Sequence, residues 1–395
     1  MAEIKSALSE KFSLTEGGAL YQLLLRMGRG KVERRRVIVR ALLAVLVTWF
    51  PLLVFSLLQG LAAGPAIKIP FLRDFAVNVR FLIALPILIM AESGIGHTSR
   101  ILVLQFLKSG LVGENELPSF EAVIEKITRL RDRVLPEAVI LVLAFVPSLL
   151  NIRSGLTMGG VTNWHVIGMG STQASLAGWW FHLVSMPIFR FLLLRWAWRI
   201  FLWTSFLWRA VRLHLYLVAT HTDMAAGLGF LSEGQKAFSP IIFAGGAVIA
   251  AQIGNAIAYE GKTLSSLKSP MIAYGVLAIL ILVVPLLVVA PVLRKVKQEA
   301  LQQFGALVTI HNQLFDTKWI LNKHSQDDVI LGNPDASSLI DLGASFTVIR
   351  QMSLVPIDKA TLLALVAAAA LPMIPMILLV TPADQLVKTV LKMLG

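Results

Sequence analysis

The chain alternates between long apolar runs and shorter polar segments. A transmembrane helix needs roughly 20 consecutive, mostly apolar residues. Seven stretches meet that requirement, at residues 38–60, 81–99, 134–152, 177–199, 238–259, 271–293 and 360–381. The fourth stretch continues apolar to about Trp208 but contains Pro187, so it predicts either one long helix or two shorter ones. The pattern therefore predicts an all-α, polytopic transmembrane bundle of about seven spans, within a range of six to eight.

The composition also indicates a membrane protein. Hydrophobic residues make up 56% of the 395 positions and charged residues 15%, whereas soluble domains carry about 25% charged residues. The chain has no cysteine, which excludes disulfides, thiolate metal sites and cysteine nucleophiles. The first apolar run begins only near Val37 and is too long for a signal peptide, so we expect it to remain as a transmembrane helix.

The distribution of basic residues predicts the orientation. The formal net charge is +13, and with the N-terminus inside, 28 of the 36 lysines and arginines fall on the inner side. Positively charged loops resist translocation, so this split predicts a cytoplasmic N-terminus. It also places positive charge beside anionic lipid headgroups, with Arg34, Arg35 and Arg36 as predicted contacts. Nucleic-acid binding is then unnecessary to explain the charge; no cofactor is implied, and a homo-oligomer stays open.

The polar segments between the apolar stretches predict further helices. Residues 117–133 carry apolar positions at helical spacing, which is typical of a helix on the membrane surface. The predicted organisation has four parts: a basic cytoplasmic segment (1–36), a bundle of about six spans (37–293), a helical cytoplasmic segment (294–355), and a last span followed by an interfacial helix (356–395). The third part is too small for an independent domain.

Four phrases in the sequence are distinctive: FSLTEGGALYQL at 12–23, RWAWR at 195–199, HTDMAAGLGFL at 221–231 and LPMIPMILLVTPADQLVK at 371–388. Together they resemble an uncharacterised family of bacterial multi-pass inner-membrane proteins. The resemblance runs over nearly the whole chain. It implies a bacterial inner-membrane location, and it carries no activity, substrate or catalytic residue.

Glu92 and Arg190 are charged residues inside apolar runs. Glu92 precedes Arg100 by eight residues, which at 1.5 Å per residue puts it about 12 Å from the inner end of its run. Arg190 is predicted at a similar depth, and an ion pair between Glu92 and Arg190 would satisfy both charges. A charge inside a membrane indicates a functional site by default. The alternatives are that Glu92 lies at the interface and that Arg190 extends to the headgroups.

Arg195 and Arg199 lie four residues apart on one helix face, near the predicted inner boundary. Trp196, Trp198 and Trp203 are typical of an aromatic belt at that boundary. Arg195 and Arg199 are therefore predicted to extend to the lipid headgroups rather than into the bundle.

The fifth apolar stretch carries a polar stripe. Gly245, Gln252, Asn255 and Tyr259 fall at helical spacing, which makes Gln252 and Asn255 candidates for lining a polar path. A packing face explains the same pattern, because glycine permits close helix approach and amides form hydrogen bonds across helices.

The loop before the fifth stretch contains His214, His221 and Asp223. A His-x-Asp pair can supply two ligands to a hydrolytic metal, and His311 would add a third. The signal is weak, since the chain has no HExxH motif and no cysteine. The alternative is a structural loop in which Asp223 caps a turn. No Walker lysine loop and no GxSxG motif occurs in the chain.

Three functions stay open on the sequence alone. The leading one is passive or ion-coupled transport of a small solute or ion, along a polar path among the second, fourth and fifth spans. Its residues are Glu92, Arg190, Gln252 and Asn255. The second is a membrane enzyme acting on a lipid or lipid-linked substrate at the cytoplasmic face. The third is a scaffold that recruits partners through residues 294–355.

Overall fold

The protein is described by a computed structural model that covers residues 12–18, 21, 34–65, 67–151, 162–167, 173–321 and 334–376. It is 78% helical, and the described residues contain no β-strand. The predicted all-α class is confirmed. The predicted C-terminal interfacial helix falls outside the described residues.

Six helical stretches are long and apolar enough to cross a membrane: span 1 (Arg35–Leu58), span 2 (Phe75–Lys108), span 4 (Leu176–Ala210), span 5 (Leu231–Glu260), span 6 (Leu264–Leu287) and span 7 (Lys359–Met376). A seventh candidate, Glu114–Asp132 followed by Val134–Leu150, qualifies only as a pair bent by 42°. We call the helix Val134–Asn151 of this pair span 3.

Several spans contain more than one helical segment. The α-helices within the spans are Arg34–Thr48, Phe50–Leu58, Phe75–Val79, Leu85–Lys108, Val134–Asn151, Leu176–Trp180, Met186–Ala210, Leu231–Lys236, Ser239–Glu260, Lys268–Leu287 and Lys359–Ala370. Short π-helical turns at Arg80–Ala84 and Phe181–Ser185 join the segments of spans 2 and 4. Span 4 is therefore one continuous helix, because Pro187 falls in the first turn of its second segment, where a missing N–H is tolerated.

Three further helices lie between the spans, at Leu117–Asp132, Ala290–Phe315 and Pro334–Gln351. The last two pack against each other as a hairpin. Lys297 in the first helix of this hairpin donates a hydrogen bond to the backbone oxygen of Met352, just after the second, at 2.7 Å.

One end of the bundle is built from the loops between spans. The backbone N–H of Ile69 donates to the Thr162 oxygen at 3.1 Å, and the Tyr259 hydroxyl donates to the Arg73 oxygen at 2.9 Å. We call this end the loop end; it comprises residues 59–74, 162–167 and 261–267.

The opposite end carries the helical hairpin, and we call it the hairpin end. There the backbone N–H of Tyr216 donates to the Leu111 oxygen at 2.9 Å, and that of Ser353 donates to the Met224 oxygen at 2.7 Å. These hydrogen bonds join the segments that follow spans 2 and 4 to each other, and the segments that precede spans 5 and 7 to each other. All of these segments therefore lie at one end of the bundle.

These contacts decide whether Val134–Asn151 crosses the bundle. Residues 109–133 before this helix lie at the hairpin end, and residues 162–167 after it lie at the loop end. The helix must therefore run from one end to the other. The described residues therefore contain six helices that could cross a membrane, or seven with this one, which agrees with the predicted range of six to eight.

Candidate functional site

Glu92 lies near the middle of span 2 and is buried in the protein. One carboxylate oxygen accepts hydrogen bonds from Nη1 of Arg195 at 3.1 Å and from Nη1 of Arg199 at 2.9 Å. The other oxygen lies 3.8 Å from Nη1 of Arg40 in span 1. Arg195 and Arg199 are about one helical turn apart on span 4, so both guanidinium groups reach the same carboxylate.

Glu137, near the start of span 3, adds a second acid. Its Oε1 lies 3.6 Å from Nε of Arg195. We call Arg40, Glu92, Glu137, Arg195 and Arg199 the ionic network. Three positive and two negative charges from four spans give it a formal charge of +1. Mutual pairing offsets the several kcal/mol that each isolated charge would cost at this depth.

The ionic network lies close to the hairpin end. Arg40 is five residues after the start of span 1 at Arg35, and Glu137 is three residues after the start of span 3 at Val134. At 1.5 Å per residue these two side chains lie about 5–8 Å along the helix axis from those starts. The network therefore lies in the half of the bundle nearer the hairpin end.

The prediction that Arg195 and Arg199 extend to lipid headgroups is wrong. Their side chains are buried, with only 6% and 3% of the residue surface exposed. Trp196 and Trp203, predicted as part of an aromatic belt, are also buried. The sequence indicates how deep a residue lies, but which face of span 4 meets span 2 depends on how the helices pack. Here the face that carries both arginines packs against Glu92.

The predicted Glu92–Arg190 ion pair is also wrong. Nη1 of Arg190 donates to the Ser148 hydroxyl of span 3 at 2.7 Å. Arg190 precedes Arg195 by five residues, which turns its side chain by about 140° around the helix axis. The two arginines therefore point to different neighbours, and Glu92 pairs with the later one.

Residues 12–18 lie over the hairpin end of the ionic network, and we call them the N-terminal cover. Phe12, Leu14 and Thr15 are buried. The Phe12 ring lies 4.9 Å from that of Phe206 in span 4. Nη2 of Arg199 donates to the backbone oxygen of Thr15 at 3.3 Å. The cover thus bonds directly to a member of the network.

Charged contacts hold the N-terminal cover in place. The Glu16 carboxylate pairs with Arg100 of span 2, and the Ser13 backbone oxygen accepts from Arg131. At Gly96 the cover comes so close that a side chain would collide with the Thr15 hydroxyl. The Thr15 side chain is therefore in close contact with span 2 at Gly96.

A second set of buried basic side chains lies on the same two spans, toward the loop end. Arg80 on span 2 and His182 on span 4 are each 8% exposed, and His165 in the loop end is 4% exposed. The rings of His165 and His182 are 5.8 Å apart. The charges of Arg80 and Arg190 are close enough to repel each other. We call Arg80, His165, His182 and Arg190 the basic group.

His165 is neutral at physiological pH. Burial has the largest effect, and together with neighbouring His182 and the charge of Arg80 it lowers the pKa of His165 to about 3. The ring stacks on Trp164, with centroids 3.8 Å apart. A neutral imidazole offers one N–H donor and one acceptor.

An apolar layer separates the basic group from the ionic network. Along span 2 it consists of Phe81, Leu85 and Leu88, and along span 4 of Phe189 and Trp196, all of them buried. The rings of Phe81 and Phe189 are 6.3 Å apart, and the Trp196 indole N–H donates to the Leu88 backbone oxygen at 3.1 Å. Spans 2 and 4 thus carry two buried polar regions with a closed apolar contact between them.

Asp74 organises the loop end beside the basic group. Its buried carboxylate accepts hydrogen bonds from the Trp164 indole N–H at 2.9 Å, from the Asn255 amide at 2.7 Å and from the Val77 backbone N–H at 3.1 Å. This side chain therefore joins the start of span 2, the end of span 5 and the 162–167 loop.

Gly245 and Asn255 of the polar stripe of span 5 belong to packing faces. The Asn255 oxygen also accepts from the backbone N–H of Phe75, so both ends of this amide hold span 5 against span 2. A Cβ at Gly245 would lie 3.0 Å from the Tyr274 ring, which shows how closely spans 5 and 6 approach. Gln252 is exposed on the outside of the bundle. The prediction that Gln252 lines an internal path with Glu92 is therefore wrong.

The candidate metal ligands His214, His221, Asp223 and His311 lie at the hairpin end but do not come together as one group. The His214 side chain is 97% exposed, and His311 contacts Ser338 in the hairpin instead. His221 Nδ1 lies 2.9 Å from Asp223 Oδ1. Among the described residues no group of three or more histidine, aspartate or glutamate side chains is placed to hold a metal ion.

Asp223 organises its own loop. Its carboxylate oxygens accept from the backbone N–H groups of Ala225, Gly227 and Gly229 at 2.8–3.1 Å. Burial acts to raise the pKa of Asp223, but these hydrogen bonds outweigh it, and the pKa lies below its usual value. These contacts fit the structural alternative for this loop.

Sequence reasoning missed several members of these sites: Arg40, Arg80, Glu137, His165, His182 and the N-terminal cover. Only His182 carried a usable signal, because it is a titratable residue inside the fourth apolar stretch. Arg40, Arg80 and Glu137 stand at the edges of apolar stretches, where charged residues are ordinary.

Comparison of the chain with protein-family models, with curated proteins and with solved structures finds no match. What the protein does is therefore inferred from its own residues.

Proposed function

We propose that this protein transports a small solute or ion across the membrane, passively or coupled to an ion, along a path between spans 2 and 4. The observation that carries the proposal is the buried ionic network, in which Glu92 of span 2 pairs with Arg195 and Arg199 of span 4. Ionisable residues within membrane helices are rare, and they commonly mark ion or substrate pathways. Span 5, included in the path on the sequence alone, contributes a packing face instead.

The two buried polar regions would be stations along that path. A solute entering at the loop end meets the basic group first, and the ionic network lies nearer the hairpin end. The apolar layer between them and the N-terminal cover beyond them are both closed, which fits a resting state. Transport then requires the layer and the cover to open, as in alternating-access or gated pathways.

We place the protein in a bacterial inner membrane, with the hairpin end in the cytoplasm. Support comes from the excess of lysine and arginine in the segments of this end and from the positive-inside rule. Arg35 is exposed at the hairpin-end start of span 1 and Arg36 is half-buried. These are the headgroup contacts that we retain; the side chain of Arg34 lies outside the described residues.

Single cysteines test the orientation, because the chain has no cysteine of its own. We expect Ser265→Cys at the loop end to react with a membrane-impermeant maleimide in intact cells. Ser337→Cys in the hairpin should react only after permeabilisation. Both positions are exposed. Labelling of Ser337→Cys in intact cells would reverse the assigned orientation.

A reversible cross-link tests the transport proposal. A Cβ built at Gly96 lies 3.5 Å from the Thr15 Cβ, within the range of disulfide-bonded cysteines. The double variant Thr15→Cys/Gly96→Cys should therefore lock the N-terminal cover onto span 2 when oxidised. In liposomes we expect the wild type to support flux of chloride, potassium or protons. Flux through the oxidised double variant should fall to that of protein-free liposomes and return on reduction.

The two single-cysteine variants are the matched controls, since each carries one substitution and cannot close the disulfide. Their flux should not respond to oxidation. A double variant whose flux is equal in the oxidised and reduced states rejects the cover as part of the pathway. Absence of wild-type flux for all three ions rejects the transport proposal itself.

A scaffold role is the second candidate, and a specific observation favours it. Leu307, Ile310 and Leu314 form an exposed apolar stripe on the helix Ala290–Phe315, with 50–66% of each residue surface accessible. A scaffold acting through this hairpin requires neither ion flux nor the ionic network. The enzyme alternative would act through His214, His221 and Asp223, and it has no such support, because these three do not form a metal-binding group among the described residues.

A further inference from the structure

The four side chains of the basic group bring together more hydrogen-bond donors than the described protein uses. Arg80 donates from Nη1 to the sulfur of Met186 at 3.5 Å, and its buried Nε has no partner among the described residues. Sulfur is a weak acceptor. In the described chain, no carboxylate forms an ion pair with this guanidinium group. A buried arginine in that situation is costly unless a negative charge accompanies it.

The two histidines add further unused polar atoms. In the described structure, both ring nitrogens of His182 and Nδ1 of His165 lack a hydrogen-bond partner. Buried polar groups are normally paired with protein or with something bound. Three side chains that are nine-tenths buried therefore carry nitrogens without a partner in the described structure, and His165 lies near both Arg80 and His182.

The charge of this region favours an anion. Asp74 is the acid beside it, but three donors already occupy its carboxylate. Arg80 and Arg190 with Asp74 give a formal charge of +1 when both histidines are neutral. Trp164, Phe181 and Phe189 pack around the group and lower the local dielectric, which strengthens any interaction with a charged ligand.

We propose that the basic group binds one small monovalent anion of the halide class between Arg80, His165 and His182. Arg80 supplies the charge and the unused Nε donor, and the imidazole rings of His165 and His182 supply N–H donors. This proposal rests on the proposed transport function in one respect: it identifies the solute class that enters the path at the loop end. Binding itself does not depend on transport.

Bromide quenching of tryptophan fluorescence tests the site, because Trp164 stacks directly on His165. Protein in detergent is titrated with sodium bromide in place of sodium gluconate at constant ionic strength. We expect a saturable quenching component above the linear collisional one. It should disappear in Trp164→Phe and compete with chloride. Strictly linear quenching of the wild type would overturn the proposal.

Two substitutions locate the binding residues. We expect Arg80→Gln to weaken bromide binding by about 10- to 100-fold, the effect of losing a hydrogen bond to a charged group. The matched control is Arg73→Gln, which removes an exposed arginine from the same end and should leave the saturable component unchanged. If Arg80→Gln does not fold, His182→Phe replaces it and should weaken binding too. Undiminished binding in a folded Arg80→Gln or His182→Phe protein would contradict the proposed site.

The binding assay and the flux assay test the anion site and the transport proposal separately, so either proposal can be rejected while the other stands. Saturable bromide binding without flux of any tested ion keeps the anion site and rejects transport. If the disulfide of the Thr15→Cys/Gly96→Cys variant abolishes flux but the wild type shows no saturable bromide binding, the transport proposal stands and the anion site is rejected.

Discussion

Replacing Glu92 by glutamine is expected to destabilise the protein by about 3–5 kcal/mol, the usual effect of removing one partner of a buried ion pair. The glutamine leaves Arg195 and Arg199 buried beside each other without the carboxylate that both of them use. Thermal unfolding in detergent measures the loss. The control is Glu125→Gln, which breaks an exposed pair with Arg129 one turn away and should change stability by less than about 0.5 kcal/mol.

A double-mutant cycle identifies the partner of Glu92. Glu92→Gln combined with Arg199→Gln should be less harmful than the sum of the two single changes, because the double variant leaves fewer uncompensated charges. Glu92→Gln combined with Arg190→Gln should be additive, since Arg190 bonds to Ser148 instead. Additivity at Arg199, or coupling at Arg190, would contradict the described network.

Replacing Asp74 by alanine is expected to destabilise the protein by about 3 kcal/mol or more. The substitution leaves the Trp164 indole, the Asn255 amide and the Val77 backbone N–H without their acceptor, and each unsatisfied buried donor costs about 1–3 kcal/mol. Thermal unfolding measures the effect, and Glu260→Gln is the control at the same end, where the carboxylate pairs with exposed Lys262.

Asp74→Ala should also change the loop end locally. Trp164 is held by this carboxylate, so its fluorescence emission should shift in Asp74→Ala and stay unchanged in Glu260→Gln. An Asp74→Ala protein as stable as the wild type would mean that water or another group satisfies these donors, and that the carboxylate does not organise the loop end.

Loss of Glu92 and loss of Asp74 are expected to affect function in different ways. Glu92 belongs to the ionic network on the proposed path, so a folded Glu92→Gln protein should transport poorly. Asp74 holds the loop that positions His165. Loss of Asp74 should therefore weaken bromide binding more than it affects the hairpin end. The two variants therefore separate the two polar regions of spans 2 and 4.

The sequence by itself determined the class, the number of spans and their approximate limits. Membrane insertion selects for the length and apolarity of a continuous run, and both are properties of the chain read in order. Each of the seven apolar stretches therefore overlaps one of the six or seven candidate spans. The limits of the helices differ from those of the apolar stretches. Span 2, for example, continues beyond Arg100 to Lys108, past the end of the predicted stretch 81–99.

Only the tertiary structure decided which charges meet. The sequence predicted similar depths for Glu92 and Arg190, but the rotation of each helix about its axis also decides which side chains meet. In the structure this rotation directs Arg195 and Arg199 to Glu92. Arg190 points to Ser148 instead. Thr15 and Arg199 are 184 positions apart, and their hydrogen bond exists only because spans 2 and 4 pack side by side beneath the N-terminal cover. Depth follows from distance along one helix, whereas pairing requires the packing of several helices at once.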